Sequence, residues 1–199
     1  MNFNEGLSPA IGDFRYVDND LMITKFFTKQ YCDYLISQFE KSGFAVDEDG
    51  NYDMLMHEIE GGSDLCFLYL DAVKKYIEPA ILKNWTPAIK NRLWSGYPIP
   101  FCKKFSDTGQ KSLKMHSDNS LLTLFVKLNS DYKGCNTIFP RQRWSMDDVA
   151  AGEMMIFPGS ITHPHYTERL ESGVKYSLIG RISILETREK SHDNIENLR

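Results

Sequence analysis

The sequence predicts a mainly β fold, an antiparallel jelly roll with helices packed against its outside. From residue 98 onward, short apolar segments that suit strands alternate with turn signals, a pattern typical of antiparallel sandwiches and barrels. Residues 20–95 instead carry apolar side chains mostly at helical spacing. The 199 residues are enough for one domain with a sizeable core. We therefore expect a single domain, with residues 1–97 as a mostly helical lead-in, 98–185 as the jelly-roll core and 186–199 as a tail.

The lead-in is expected to contain two helices around a polar loop. Residues 21–27 are predicted to form a strand, and a helix follows at 28–41, capped by its first residue, a threonine. A second helix is predicted at 63–83, capped by the serine or aspartate at its start. Between the helices, the acidic and glycine-containing stretch 47–62 is predicted to be a loop or flap with a short strand at 54–59.

The second half is expected to supply the strands of the jelly roll. Four segments are predicted as strands, namely 121–128, 137–139, 154–157 and 176–185. Turn signals rich in glycine, asparagine, aspartate and proline separate them. This number and spacing of strands fit a jelly roll.

The composition argues against several classes of protein. Lys and Arg total 23 against 27 for Asp and Glu, a net charge of −4, whereas a nucleic-acid-binding surface needs a basic face. None of the four cysteines forms a C-x-x-C pair, so we expect reduced intracellular thiols. The first ten residues have no apolar run typical of a signal peptide, and no segment is long enough to span a membrane. We therefore expect a cytoplasmic protein that binds neither nucleic acid nor membranes.

Two histidine-containing clusters carry the candidate chemistry. His116 and Asp118 lie two residues apart, so in an extended chain they face the same side. A second cluster contains His163 and His165. Two histidines and one carboxylate form the facial triad of non-haem Fe(II) oxygenases, which leaves coordination positions open. Zinc hydrolases also use such ligands, and an isolated H-x-D is common by chance, so these residues alone leave iron, zinc and no metal as alternatives.

The order of the surrounding residues favours the oxygenase. The H-x-D motif precedes the apolar segment 121–128, and the second cluster follows the Phe-Pro-Gly turn at 157–159. Lys175 and Ser177 then share one face of the last predicted strand. A strand lysine is usually solvated, whereas one that faces the inside of a small barrel needs an anionic partner.

From about residue 100 to 185 the sequence resembles the catalytic domain of Fe(II)/2-oxoglutarate-dependent dioxygenases of the prolyl and lysyl hydroxylase type. The matching segments are 112–120 (SLKMHSDNS), 133–140 (KGCNTIFP), 151–165 (AGEMMIFPGSITHPH) and 171–178 (ESGVKYSL). They occur in the order of the family. The stretch 107–128, the turn at 131–134 and the His-x-His pair look most like procollagen lysyl hydroxylases. The resemblance implies a double-stranded β-helix, the cupin-like form of the jelly roll.

The resemblance also implies a set of ligands. His116, Asp118 and His165 are the expected Fe(II) ligands. His163 competes with His165 for the distal position, but the family places a cation ten residues after the distal histidine, and Lys175 has that spacing only from His165. His163 would then lie beside the metal ligands without binding the metal itself, or it would face the substrate.

Lys175 and Ser177 are implied to bind the far carboxylate of 2-oxoglutarate. Lysyl hydroxylases usually have arginine at the position of Lys175, and arginine binds a carboxylate through two parallel hydrogen bonds. Lysine acts instead as a point charge. The segment 134–137 (GCNT) also departs from the Gly-Gly-Glu-Thr of many relatives, and this change affects the expected substrate more than the iron chemistry. The candidate substrate-binding residues are Asn119, Asn136, Arg143, Trp144 and His163. For Trp144, packing against the edge of a strand is an equal alternative.

The implied activity is hydroxylation of an unactivated C–H bond, with release of succinate and CO2. The expected cofactor and cosubstrates are Fe(II), 2-oxoglutarate and O2, with ascorbate as an additional candidate. A peptidyl proline or lysine is the leading substrate, by resemblance alone. The alternatives are a free amino acid or other small molecule, or a non-enzymatic metal-binding jelly-roll module. A buried lysine opposite the metal ligands would argue against such a module, because it would have no need of that charge.

Overall fold

The computed structural model describes residues 1–18, 20–46, 50–85 and 98–182. Its helices are α1 (Phe3–Gly6), α2 (Lys29–Ser42), α3 (Gly62–Ala72) and α4 (Glu78–Trp85). Its strands are β1 (Phe14–Asp18), β2 (Leu21–Lys25), β3 (Tyr52–Leu55), β4 (Phe101–Phe105), β5 (Leu113–His116), β6 (Leu122–Lys127), β7 (Lys133–Gly134), β8 (Thr137–Phe139), β9 (Trp144–Ser145), β10 (Glu153–Pro158), β11 (His165–Thr167), β12 (Leu170–Ser172) and β13 (Lys175–Ile182).

The strands form two main antiparallel sheets that face each other. The large sheet has the order β1-β2-β10-β6-β13-β4-β3, and the small sheet has the order β5-β11-β8-β9. Strands β12 and β7 form a separate pair. An apolar cluster joins the two main sheets, with Phe125 and Phe157 from the large sheet packed near Phe139 from the small one. This arrangement is the predicted jelly roll.

The large sheet is covered on both faces, which explains why its central strand β6 is buried along its whole length. All six residues of β6 are buried. Leu124 and Val126 point to the outer face and join a core with residues of α2 and α3. Phe125 points to the inner face, toward the small sheet. A strand buried on both sides is rich in apolar residues, which accounts for the apolar character of the segment 121–128, where Thr123 and Lys127 are the polar residues.

The first predicted helix is confirmed. Helix α2 begins after Thr28, whose side chain accepts a hydrogen bond from the Tyr31 amide, and it ends at Gly43 with a φ of 82°. Its buried residues include Leu35 and Phe39, which pack against the outer face of the large sheet. Capping at one end and glycine at the other fix its length.

The prediction of the second helix is wrong in two respects, because the helix is not continuous and it is not capped by the predicted serine or aspartate. Helix α3 begins after Gly61, which is in the left-handed region with a φ of 69° and makes no side-chain cap. A π-helical turn, Val73–Ile77, then separates α3 from α4. Pro79 lies in the first turn of α4 and has no amide hydrogen to donate to the preceding turn, which accounts for the wider turn there.

The lead-in also contributes strands, so the barrel does not begin at residue 98. Strand β2, predicted as part of 21–27, pairs with β10 inside the large sheet, and β1 pairs with β2. Strand β3 pairs with β4 at the other edge. The short strand predicted at 54–59 is therefore shifted, since β3 ends at Leu55 and a 3-10 turn follows.

Parts of the sequence-based prediction lie outside the described residues. These are the tail 186–199, the end of the last predicted strand beyond Ile182 and residues 47–49 of the predicted flap. The extent of the domain stays a prediction. The four cysteines are buried and unpaired. None of the helices in the described ranges has the length and apolar character needed to cross a bilayer.

Gly152 is expected to be essential for joining β2 to the sheet. Its φ is 87°, its carbonyl accepts hydrogen bonds from the amides of Phe26 and Phe27, and an added Cβ would meet the Phe27 carbonyl oxygen. Gly43 has a similar φ of 82° but open space around it. Gly43→Ala should therefore cost only about 1–3 kcal/mol, the penalty of a side chain on sparsely populated positive-φ backbone, whereas Gly152→Ala should cost clearly more. Thermal unfolding of both variants measures the difference; equal melting temperatures would contradict the argument.

Candidate functional site

The small sheet brings the two histidines of the predicted triad together. His116 ends β5 and His165 begins β11, and the two residues are directly opposite each other in the antiparallel register. Their ring centroids are 4.3 Å apart. Asp118 follows His116 by two residues, in the connection to β6. One strand pair and one short connection thus position the three side chains.

The geometry of this cluster fits a metal ion. One nitrogen or oxygen atom from each of His116, Asp118 and His165 lies within 4.8 Å of the others. The Nε2 atom of His116 is 3.7 Å from Asp118 Oδ1, and that of His165 is 4.0 Å from Asp118 Oδ2. These separations are too long for hydrogen bonds, and they leave space for an ion between the three side chains.

Hydrogen bonds to the backbone orient both rings for coordination. His116 Nδ1 lies 2.8 Å from the Lys114 carbonyl oxygen, and His165 Nδ1 lies 3.0 Å from the His163 carbonyl oxygen. A carbonyl oxygen only accepts, so each Nδ1 carries the hydrogen and each Nε2 presents its lone pair. Burial also lowers the pKa of His165, although Asp118 opposes this shift. Neutral imidazoles with free Nε2 atoms are the form that binds metals.

The carboxylate of the cluster is oriented from the large sheet. Thr123 on β6 donates its hydroxyl hydrogen to Asp118 Oδ2 at 2.7 Å, and Ser120 lies 2.9 Å from the same hydroxyl. Both hydroxyl-bearing residues are buried. Asp118 is thus held between the two sheets. Its Oδ2 is bound by Thr123, and its Oδ1 faces His116.

A cavity of about 220 Å³ extends from the cluster along the inner face of the large sheet. Alternate residues of β13 line it, from Lys175 and Ser177 through Ile179 to Arg181. Phenylalanines of β4 and β6, among them Phe105 and Phe125, form apolar walls between its polar groups. The predicted metal ligands and the predicted 2-oxoglutarate-binding residues therefore line one cavity.

Lys175 is a buried cation that has no carboxylate partner in the described part of the chain. The residue is only 1% exposed, and its Nζ donates hydrogen bonds to the Cys135 carbonyl at 2.7 Å and to the Thr137 hydroxyl at 3.1 Å. Burial lowers its pKa from 10.5 to about 8. The buried Ser177 hydroxyl makes no hydrogen bond with the described residues. Both groups are suited to an anionic ligand.

Two further lysines flank Ser177, and the sequence did not indicate them. Lys127 on β6 and Lys103 on β4 are its direct neighbours across the sheet. Lys103 is paired with Asp53 at 2.8 Å, whereas burial lowers the pKa of Lys127. Residues 101–105 (FCKKF) show no two-residue alternation of apolar and polar side chains, so the sequence pattern did not indicate this strand.

The predicted substrate-binding residues do not line the cavity. Asn119 and Arg143 are exposed, and Asn136 and Trp144 are half-buried. Trp144 packs against Phe139, with ring centroids 5.7 Å apart, at the edge of the apolar cluster between the sheets. For Trp144 the structure favours packing over substrate binding.

His163 lies in the interior, away from the cavity. The residue is 0% exposed, its Nε2 is 3.2 Å from Asp20 Oδ1, and its ring lies against Phe157. Both histidine rings pack against Phe139 and Phe157, but His163 Nε2 is directed toward Asp20, whereas His165 Nε2 is directed toward Asp118. The structure thus argues against the substrate contact expected for His163, and its side chain is not part of the potential metal cluster.

Comparisons with known proteins agree with the sequence resemblance. No protein-family model matches the chain. A procollagen-lysine,2-oxoglutarate 5-dioxygenase of Drosophila melanogaster is 26% identical over 168 residues, covering 76% of this chain and 22% of the relative. The human procollagen-lysine,2-oxoglutarate 5-dioxygenase 2 is 26% identical over 178 residues, covering 78% of this chain and 22% of the relative. The chain thus spans about a fifth of the length of the curated relatives it matches.

Solved structures show the same fold. A viral collagen prolyl hydroxylase of Paramecium bursaria Chlorella virus-1, solved as a complex with 2-oxoglutarate, aligns with a TM-score of 0.59 at 17% identity over 86% of this chain and 97% of that one. A prolyl hydroxylase of Trichoplax adhaerens, in complex with a hypoxia inducible factor peptide, aligns with a TM-score of 0.63 at 14% identity over 87% of both chains. The predicted double-stranded β-helix and the resemblance to a prolyl and lysyl hydroxylase domain are confirmed.

The hydroxyl of Thr123 is expected to support metal binding through Asp118. Thr123→Val keeps the shape of the side chain but removes the hydrogen bond to Asp118 Oδ2. Loss of such an outer partner weakens metal affinity about 10–100-fold. Thr24→Val is the matched control, because Thr24 is also buried in the large sheet and its hydroxyl accepts a hydrogen bond from the Gly12 amide. Titration with Fe(II) without oxygen should show weaker binding for Thr123→Val alone; equal affinities would refute this role.

Proposed function

We propose that the domain is an Fe(II)- and 2-oxoglutarate-dependent hydroxylase that acts on a peptidyl proline or lysine. One observation carries this proposal. One cavity is lined both by the cluster of His116, Asp118 and His165 and by the buried Lys175, which has no carboxylate partner among the described residues. A metal ligand set that leaves positions open and a separate site for an anion are the two requirements of a metal-bound dicarboxylate.

Each part of the chain has a distinct role in this activity. His116, Asp118 and His165 would hold the metal through Nε2, a carboxylate oxygen and Nε2. Lys175 and Ser177 would bind the far carboxylate of 2-oxoglutarate, with one charge-assisted and one neutral hydrogen bond. When bound, Fe(II) supplies the oxidative chemistry in which 2-oxoglutarate and O2 give succinate and CO2 and the substrate C–H bond becomes C–OH.

The walls of the cavity keep water from the reacting groups. Phe101, Phe105 and Phe125 line the cavity on the inner face of the large sheet, with Phe105 directly opposite Lys175 in the register of β4 with β13. Lys175 has its Nζ 5.5 Å from the centre of the Phe105 ring and 5.9 Å from that of Phe125. In such apolar surroundings an ion pair between Lys175 and a carboxylate is screened less than in water.

Lys175 also discriminates between this activity and the alternatives. A zinc hydrolase needs a general base beside the metal, and a metal-binding module needs no second charge. Neither accounts for a buried ammonium group that has no carboxylate beside it in the part of the chain that the structure describes, since burying an unpaired charge is costly. Peptidyl lysine or proline as the substrate is supported by the names of the curated relatives and by the peptide bound in the Trichoplax structure.

The assignment of the distal ligand has a direct test. His165→Ala should abolish succinate formation from 2-oxoglutarate with Fe(II), because it removes one of the three proposed ligands. His163→Ala is the matched control, since its imidazole lies beside Asp20 and outside the cluster. The measurement is succinate release with and without proline and lysine peptides, with melting temperatures on the same preparations. Activity in His165→Ala, or a folded but inactive His163→Ala, would show that the distal ligand is assigned wrongly.

The buried charge of Lys175 predicts how 2-oxoglutarate affinity depends on pH. The pKa of Lys175 is about 8, so the ligand-free protein loses this charge as the pH rises through 8, while both carboxylates of 2-oxoglutarate stay ionised. Burial is the main cause; the Cys135 thiol raises this pKa, Lys127 lowers it, and the Tyr132 ring also faces the Nζ. The affinity should therefore fall above pH 8, approaching about tenfold per pH unit.

Arginine at this position serves as the control. Lys175→Arg stays charged over the whole range, so its affinity should not fall between pH 7 and about pH 9.5. Lys175→Met should bind 2-oxoglutarate weakly at every pH. Calorimetric titration with Mn(II) in place of Fe(II) measures all three proteins. A fall with pH that is the same in the parent protein and in Lys175→Arg would assign the dependence to another group.

A further inference from the structure

Arg181 lines the metal end of the cavity, at the opposite end of β13 from Lys175. Both side chains face the cavity because they lie an even number of residues apart on one strand. Six residues of strand correspond to about 20 Å. Lys175 is 1% exposed, whereas the Arg181 side chain is 38% exposed. Arg181 is therefore on the side of the cavity that a substrate reaches from solvent.

The guanidinium of Arg181 is held in place but has unused donors. Its central carbon lies 5.3 Å from the centre of the Phe101 ring. Its Nη2 is 3.6 Å from Asp118 Oδ1, which is longer than a hydrogen bond. Its Nε is buried and has no hydrogen-bond partner among the described residues. A guanidinium has five N–H donors, so this side chain is able to bind a further acceptor.

The charges around the cavity point to the kind of acceptor. Lys103 already has Asp53 as its counter-ion, at 2.8 Å. Lys175 would face 2-oxoglutarate. Asp118, the carboxylate nearest Arg181 in the described residues, would be bound to the metal and would share its charge with it. Arg181 is then a half-buried cation beside a metal ion, and an anion from outside the protein would balance it.

We infer that Arg181 binds a carboxylate of the substrate, so that the domain hydroxylates a molecule that carries a carboxylate near the reacting carbon. This inference rests on the Fe(II)- and 2-oxoglutarate-dependent hydroxylation of the proposed function, not on its peptidyl substrate, and names the chemical class of the substrate. The planar guanidinium donates two parallel hydrogen bonds to one carboxylate. The carboxylate has two sources: the α-carboxylate of a free amino acid, or an acidic side chain or C-terminus of a peptide.

A purely structural role for Arg181 makes a different prediction. If Arg181 served to position Asp118, its loss would weaken metal binding. Asp118 Oδ2 already accepts a hydrogen bond from Thr123 at 2.7 Å, shorter than the 3.6 Å from Arg181 to Oδ1. We therefore expect the metal affinity to depend on Thr123 and the substrate affinity to depend on Arg181.

The test is a comparison of carboxylates with matched amides. The probes are L-lysine with L-lysinamide, L-proline with L-prolinamide, and proline or lysine peptides with Glu or Gln next to the target residue or with a free or amidated C-terminus. Each is titrated by calorimetry into protein loaded with Mn(II) and 2-oxoglutarate without oxygen. The variants are Arg181→Met and Arg181→Lys. Arg15→Met is the control, because Arg15 is an exposed arginine on β1 that pairs with Asp148 and Glu153.

The expected result is a preference of at least about tenfold for one carboxylate over its amide. Arg181→Met should remove the preference, Arg181→Lys should keep part of it, and Arg15→Met should keep all of it. Mn(II) and 2-oxoglutarate affinities should stay within about twofold of the parent protein. A free amino acid or a peptide is identified as the source by which pair shows the preference.

Several results would overturn the inference. Equal binding of acids and amides, or no binding of any carboxylate, would exclude a substrate carboxylate at Arg181. A loss of Mn(II) affinity in Arg181→Met as large as the loss of probe affinity would make Arg181 a positioning residue for Asp118, and a loss of 2-oxoglutarate affinity would assign it to the cosubstrate. Succinate formation with Fe(II) and no carboxylate preference would refute this inference alone, whereas no succinate under any condition would refute the proposed function.

Discussion

The antiparallel pairing of β5 with β11 is the constraint on which the candidate site depends. It places His116 directly opposite His165, so two imidazoles from distant parts of the chain meet without any loop having to position them. Each ring is then fixed by a carbonyl only two residues before it in the chain. A shift of one residue in this register would turn one histidine to the other face of the sheet. The candidate metal cluster is thus a consequence of strand register, and the position of Asp118 follows from its two-residue distance to His116.

The large sheet complements this arrangement because its two faces differ in polarity. Its outer face is apolar and packs against helices, whereas its inner face carries Lys103, Lys127 and Lys175 among phenylalanines. Polar groups are tolerated in the interior only when they have partners. Lys103 has Asp53, but Lys175 has only neutral acceptors among the described residues. The incomplete pairing lies on the face that lines the cavity, which is where a ligand would complete it.

The sequence predicted those features that depend on local spacing. A two-residue separation, as between His116 and Asp118 or between Lys175 and Ser177, is enough to place both side chains on one face of an extended chain. Features that depend on cross-strand neighbours were missed, because Lys103 becomes a neighbour of Ser177 only through the register of β4 with β13. Arg181 is an intermediate case. It continues the alternation of Lys175 and Ser177, but an arginine near the end of a strand is usually interpreted as a solvated residue.

The buried lysine also links cosubstrate binding to folding. In the ligand-free protein the pKa of Lys175 is about 8, against the usual 10.5. The unfolded chain therefore binds the proton more tightly, and between about pH 8 and 10.5 the stability of the ligand-free fold rises with pH. At neutral pH the charged form is kept at a cost of roughly 3 kcal/mol. In the proposed function, a carboxylate bound at Lys175 would raise this pKa and remove the cost, so the charge that makes the ligand-free domain less stable would also be the one that selects a dianionic cosubstrate.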